Sequence, residues 1–463
     1  GNATARSINN GIDLSGEGGL VWIKNRDTAL SHALSDTARG ANKQLNSNTT
    51  GSQGSQTTIL TAFNNNGFSI GADGDVNQSA KDIASWTFRK AEKFFDIVTY
   101  TGDGTSGRDI SHNLGSVPGL VIIKRTDAAS SWAVWARINS TEAITGLNLN
   151  SDVASSVSVS SYWLAGMTSS VISLTKVADN GSGNTHNVNG GTYVAYLFGE
   201  EAAFGDDGDE SIVKCGSFSY SSSDITVNLG WEPQWILIKN ITAAGTNWKI
   251  FDTMRGWIGV FGVGNGGEVL SPNLPDVEAG QTSIFKPTST GFVMKGNEFA
   301  SGTYIYMAIR RGPMKTPDDA TKVFAIDTSG SSASQAASPP VQYYAGFPVD
   351  LMLKGADISG VSTNYAHSRL TAGRLQTESR AVANYVVAHF DSSQGYRPIA
   401  LSSNLNYIAY LFQRAPGFMD VVYYISAGGS STAVTHNLGV VPELIIGKDT
   451  ADLGANWGVY CAY

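Results

Sequence analysis

Two five-residue stretches carry an acid and an arginine at one spacing: Asp-Thr-Ala-Arg-Gly from Asp36 to Gly40, and Asp-Thr-Met-Arg-Gly from Asp252 to Gly256. A carboxylate beside a guanidinium could serve acid–base chemistry if a cleft and a second carboxylate or a nucleophile stood near. The same residues also make a hydrogen-bonded turn, with the aspartate accepting from the backbone ahead of it. Recurrence of the signature at matching places in the chain favours the turn. A second cluster, Asp206, Asp207, Asp209 and Glu210, has enough oxygens for a calcium ion, which favours about six to eight ligands on a flexible loop. It lacks EF-hand spacing, and as a solvated acidic hinge it needs no ion. Calcium is thus the one cofactor with candidate ligands, and no other is expected.

His112 and His436 each open a His-Asn-Leu-Gly turn, and imidazole is a common metal ligand. A third copy of the turn has Val227 in that place, so the turn does not require imidazole. Trp231 and Trp257 lie in Gly-flanked, turn-like contexts and are the candidates for contact with a glycan or receptor. Trp132, Trp235 and Trp248 sit in strand patterns and are expected in cores. No nucleophile elbow, zinc-protease helix, P-loop or dinucleotide fingerprint stands in its required context. No catalytic residue is assigned, and no enzyme is expected.

Positioning of these residues falls to strands and turns. Of 463 residues, 41% are hydrophobic, 10% aromatic and only 15% charged, with 52 glycines. Ser, Thr, Asn and Val are abundant, which suits strands joined by tight turns. The formal charge is −8 and no basic stripe stands out, so nucleic acid is not an expected partner. Cys215 and Cys461 lack metal-binding or disulfide-scaffold spacing. No apolar run reaches the roughly 18 residues of a membrane helix, and no insertion is expected. A chain opening at Gly1 and stopping at Tyr463 soon after a motif begins reads as a piece of something longer.

Five apolar runs end in lysine: at Lys24, Lys124, Lys239, Lys354 and Lys448. Pro118, Pro233, Pro348 and Pro442 each stand six residues ahead of theirs, and successive lysines are 94 to 115 residues apart. Around each run the landmarks keep one order. An extended segment and Gly-rich turn come first, as from Ile97 and Val421; a strand with two distinct faces follows, as at Trp132 to Trp135; and an aromatic strand closes the unit at Phe88, Phe198, Ile309 or Phe412. A repeat of about a hundred residues has the size of a domain.

The run Leu120 to Ile123 has no polar alternate, so both of its faces should be covered. The expected fold is all-β: tandem antiparallel β-sandwich modules, jelly-roll-like, spanning 1–95 (incomplete at its N-terminus), 96–204, 209–313, 319–415 and 420–463 (truncated). Short charged or Gly/Pro-rich linkers between them should make a semi-rigid string of separately cored beads.

At "RAPGFMDVVYY", "HNLGVVPELIIGK" and "NWGVY", together with "GLVWIKNRD", "LSDTARGANKQLNSN", "LTAFNNNGFSIG" and "IVTYTGDG", the chain resembles a family of repetitive virion proteins of tailed bacteriophages, often from marine hosts. The likeness covers nearly the whole sequence. It departs where Gly18 replaces a proline and where "AGFPVDLMLK" lacks Leu-Gly. Membership would imply a β-rich virion component in the extracellular particle, part of a tail fibre or other appendage. Its partners would be other virion proteins and a host cell-surface glycan or protein receptor, and it would be a homo-oligomer, expected as a trimer. The rival expectations are a capsid decoration or head-associated protein, a polysaccharide-degrading tailspike, and a cellular secreted adhesin.

Overall fold

The lysine-ended runs are strands at Gly19–Asn25, Leu120–Arg125, Pro233–Asn240 and Leu351–Gly355, with a shorter one at Leu444–Gly447. They belong to a computed structural model that describes residues 1–138, 143–154, 164–174, 186–258, 268–280, 285–296, 299–313, 315–328, 331, 341–355, 364–371, 374–377, 390–396, 407–424, 433–449 and 455–462. Among these residues the chain is all-β and every strand pairing is antiparallel, apart from one short helix at Gly74–Asn77 and a single 3-10 turn at Ala320–Lys322. The five segments delimited above are here modules one to five.

Each of the first four lysine strands pairs with an aromatic closing strand: Ile83–Arg89, Thr192–Phe198, Gly302–Arg310 and Ile408–Phe412. Modules one to three share a register, with Trp22 facing Trp86, Ile122 facing Tyr196 and Leu237 facing Met307; in module four it is shifted by one residue relative to the lysine, so that Met352 faces Leu411 and Leu353 faces Tyr410. On its other side the lysine strand meets a flanking strand, Ala33–Asp36, Ala133–Arg137, Lys249–Asp252 or Tyr365–Ser368. In modules two, three and four an opening strand, Phe95–Thr101, Val213–Tyr220 or Phe324–Thr328, pairs with the outer edge of the closing strand. In module one the closing strand is itself the edge of its sheet.

A smaller second sheet covers one face of each main sheet. Its strands are Arg6–Asn9, Gly67–Ile70 and Leu60–Asn64 in module one, with counterparts at Arg108–Ser111, Val171–Leu174 and Leu164–Met167 in module two. Module three has Ile225–Asn228, Gly291–Met294 and Phe285–Thr288, and module four Tyr343–Tyr344 with Gly395–Tyr396. Side chains alternate along a strand, so Val21 and Ile23 pack on Phe68 and Ile70 inside module one, while Leu20 and Trp22 point the other way.

That second face departs from the expectation of separately cored beads. Leu20, Trp22 and Phe88 of module one, Ile122, Tyr196 and Phe198 of module two, and Trp235, Leu237 and Met307 of module three belong to a single buried cluster. In these three modules both faces of the lysine strand are covered, one by the module's own second sheet and the other by neighbouring modules, whereas Leu444–Gly447 of module five is exposed. Apolar alternates on both faces of a strand leave no face for water, and fusion of the sheets satisfies all three modules at once.

The His-Asn-Leu-Gly segments are turns. His112 Nδ1 accepts from the Leu114 N–H at 3.2 Å, and His436 Nδ1 from the Leu438 N–H at 3.2 Å. Gly115 and Gly439 take φ of 71° and 73°, where a side chain would be strained.

Candidate functional site: the junctions between modules

The two acid–arginine stretches fold into matching turns. Asp36 Oδ1 accepts from the Arg39 N–H at 2.9 Å and Oδ2 from Arg39 Nε at 2.5 Å. Asp252 and Arg255 repeat those distances, 2.9 and 2.5 Å. Each arginine also donates through Nη2 to the carbonyl two residues before its aspartate, Leu34 or Ile250, at 3.0 Å. The sequence reading of a structural turn therefore describes the local geometry.

Sequence reasoning missed what lies across from these turns. Tyr196, on the closing strand of module two, donates its hydroxyl to Asp36 Oδ2 at 2.7 Å. Trp86, on the closing strand of module one, donates its indole N–H to Asp252 Oδ2 at 3.0 Å, and the Arg255 guanidinium lies 5.3 Å from the Trp86 ring centroid. Burial pushes the Tyr196 phenol well up, so it stays a donor. Tyr196 and Trp86 hold the same register position. At the corresponding place in module two stands Ala136, which faces Leu120 as Asp36 faces Leu20, and the closing strand of module three offers Met307, which has no strong donor. Two junctions are sealed by a charged turn and an aromatic donor; at the third, Glu200 of module two pairs with Arg137 and accepts from the Cys215 N–H of module three at 3.0 Å.

Further bonds run from each of the first three modules to the next and back to the first. Trp132 Nε1 donates to Asn46 O at 3.0 Å, and Trp248 Nε1 to Asn148 O at 2.9 Å. In module one the place of these tryptophans is held by His32. Its Nδ1 accepts from Trp22 Nε1 at 3.0 Å, which leaves Nε2 to donate to Ser271 O of module three at 3.1 Å. The Gln53 N–H meets Thr126 O and the Glu278 N–H meets Arg26 O, both at 2.8 Å. Modules one, two and three therefore close a ring.

The lysines that mark the repeat are buried in that ring. Lys124 Nζ donates to Thr50 O of module one at 3.2 Å, and Lys239 Nζ to Asp152 O of module two at 3.1 Å. Lys24 donates to Asn25 O at 2.6 Å, with Asp276 and Glu278 of module three supplying favourable charge. Burial pushes each of the three ammonium groups down to about 8. The recurring lysine was the only sequence signal for them.

Module four is clamped to module three by charge. Arg414 is fully buried and grips Glu232 with two bonds of 2.8 and 2.9 Å. Asp350 Oδ2 accepts from Arg311 Nη2 at 2.6 Å and from the Arg414 N–H at 2.8 Å, while Oδ1 accepts from Arg369 Nε at 3.0 Å. Burial alone would raise the Asp350 carboxyl, but the charges of Arg311, Arg414 and Arg369 outweigh it and hold it well below the usual carboxylate range.

A cleft of about 890 Å³ opens beside Ile83–Arg89. Trp86 and Phe88 line one side, Asp252 and Arg255 another, and Arg311 and Asp350 lie where module four joins. At the other two junctions an opening strand lies near the neighbouring module: Phe95–Thr101 approaches Gly19–Asn25, and Val213–Tyr220 approaches Ala133–Arg137.

The remaining candidates fall elsewhere. Asp206, Asp207 and Asp209 are exposed in a small linker hairpin closed by Phe204 and Glu210. Glu210 pairs with Arg310 at 2.6 Å, and Asp206 accepts from Thr316 Oγ1 at 3.1 Å. Among the described residues, no group of three or more His, Cys, Asp or Glu is placed to hold a metal ion. Trp231 and Trp257, expected at an exposed contact surface, are instead core residues of module three, 6% and 0% exposed. Trp257 stacks on Phe285 at 5.2 Å and donates to its carbonyl at 2.9 Å. Their Gly-flanked context told of local turns but not of the second sheet folded over them. Trp132, Trp235 and Trp248 are buried as expected.

Residues 1–313 match a family described as Domain of unknown function (DUF7483). The chain belongs to that family. Its matched span takes in the three modules whose sheets share one core, and ends at residue 313 before the linker to module four. No curated protein and no solved structure matches the chain.

Proposed function

We propose that this chain is a non-enzymatic structural protein of a tailed-bacteriophage particle, part of a tail fibre or other appendage that meets the host surface, built from tandem copies of one β-sandwich module. The observation that carries the structural part of this reading is the shared core of modules one to three. Three sandwiches fused through one apolar interior form a stiff body, and their acid–arginine pairs are consumed in holding it together. A common register of lysine and closing strands in modules one to three, and the same antiparallel pairing in module four, support descent from one unit. The phage assignment rests on the sequence resemblance.

Antibody-gold labelling of particles tests the location. Label along tail appendages is the expected outcome, with loss of host adsorption when the antibody is added first. Label confined to the head would replace this reading with a capsid decoration, and release of reducing ends from host polysaccharide would replace it with a tailspike.

A further inference from the structure

We propose that residues 271–278 of module three form a clasp on module one that acid releases, with His32 as the group whose protonation lifts it. The clasp closes the ring. Ser271 O accepts from His32 Nε2 at 3.1 Å, Pro272 O accepts from Ser47 Oγ at 2.6 Å, and the Glu278 N–H donates to Arg26 O at 2.8 Å. The Glu278 carboxylate also lies 2.5 Å from Arg26 Nη2. At the other two junctions the place of His32 is held by Trp132 and Trp248, whose indoles donate to the neighbouring module and take no proton. Of these three equivalent positions, only the one at which the ring closes can titrate.

The Trp22 indole can only donate and the Ser271 carbonyl only accept, so the two bonds of His32 require a neutral imidazole with its proton on Nε2. A second proton belongs on Nδ1, where the Trp22 N–H already points from 3.0 Å. The two hydrogens cannot share that place. Nor can the imidazolium turn to water, because His32 is fully buried. The charged groups acting on the ring are Lys24, on the lysine strand of module one, and Arg255, in the turn of module three, and both are cations. Lys24, at about 8 in the fold, stays charged throughout the acid range. The carboxylate of Glu278 is already shared between Arg26 and Arg255. Burial first, and then Lys24, hold the imidazole well below its ordinary 6.5, outweighing the bond to Ser271. Lifting the clasp gives the ring water. Below 6.5 the open form therefore binds a proton that the closed form refuses, and each further pH unit multiplies the opening constant about tenfold. Glu268, just ahead of the clasp, is raised by burial and by Glu278, so its own proton uptake in acid works in the opposite direction.

Hydrogen exchange of the full chain at about pH 7 and about pH 5.5, corrected for the intrinsic rate at each pH, tests this. The Glu278 N–H reports the clasp, and the Gln53 N–H, bonded to Thr126 O at the junction of modules one and two, is the control. Protection of Glu278 is expected to fall about tenfold while that of Gln53 holds. His32→Gln keeps an acceptor for Trp22 and a donor for Ser271 without a titrating ring, and should abolish the fall. Glu268 is present in both chains, so the difference between them belongs to His32. In the unaltered chain the imidazole nitrogen chemical shifts should show the Nε2–H tautomer at about pH 7. Unchanged protection of Glu278, an equal fall at Gln53, or a fall that survives His32→Gln overturns the proposal. So does a His32 ring that takes its second proton near 6.5 while Glu278 stays protected, a readout that needs no variant. Gold label on the head rather than the tail would leave these outcomes unaffected.

Discussion

Asp36 and Arg39 hold a turn and a junction with the same two oxygens. Asp36→Ala would strand a buried guanidinium as well as the Tyr196 hydroxyl, and the expected loss is about 3–5 kcal/mol of unfolding free energy by urea titration. Tyr196→Phe removes a bond donated to Asp36 and a longer one accepted from Arg39 Nη2 at 3.2 Å but leaves the Asp36–Arg39 pair intact, and should cost about 1.5–3 kcal/mol. The buried lysines predict a pH dependence. Their ammonium groups, ordinarily at 10.5, are pushed down to about 8 in the fold. Above pH 8 the unfolded chain therefore holds protons that the folded chain has released, and stability should rise with pH. Above about pH 10 unfolded tyrosines ionise while Tyr306 is held near 12, and the slope turns down. Denaturation midpoints at pH 7.5 and 9.5 should show the rise, and Lys124→Met should shrink it. A slope of the opposite sign in that window would refute the burial of charged lysine.

The strands themselves were largely legible in the sequence, because uninterrupted apolar runs and aromatic closing segments recur in one order. What covers each face was not: Val21 and Trp22 look alike in a hydrophobic run, yet one packs inside its module and the other against its neighbours. Lysine is read from sequence as a surface residue, and only its place in a fused sheet buries it. Trp231 and Trp257 were misplaced because chain-local glycines say nothing of a distant strand such as Phe285–Thr288. The second sheets carry a further requirement. Gly67, Gly291 and Gly395 begin equivalent strands, and a Cβ there would stand 2.0, 1.9 and 2.1 Å from the carbonyl oxygens of Ile8, Val227 and Tyr343. Backbone cannot yield as a side-chain end can, so Gly291→Ala should separate the two strands and expose Phe292. The expected loss exceeds the roughly 1 kcal/mol typical of point substitutions, with near-ultraviolet circular dichroism reporting the loosened aromatic packing.

Across the whole molecule, a common core predicts common unfolding. Calorimetry should show modules one to three melting in one transition, and Trp235→Ala, a cut of about 3–5 kcal/mol in their shared interior, should lower that transition as a unit. Module four is held to the ring by ion pairs, Arg414 with Glu232, Asp350 with Arg311 and Asp391 with Arg26, rather than by the shared apolar core, so Glu232→Ala should leave the first transition nearly in place while module four melts earlier. Separate transitions for modules one, two and three would sink the fused-core description. Beads strung in series fail one at a time under tension, each at its own threshold. Sandwiches that interlock through Trp22, Ile122 and Leu237 meet a pull side by side, so a tether made this way would neither lengthen stepwise nor shed a single lobe, but would stay rigid until the entire collar ruptured.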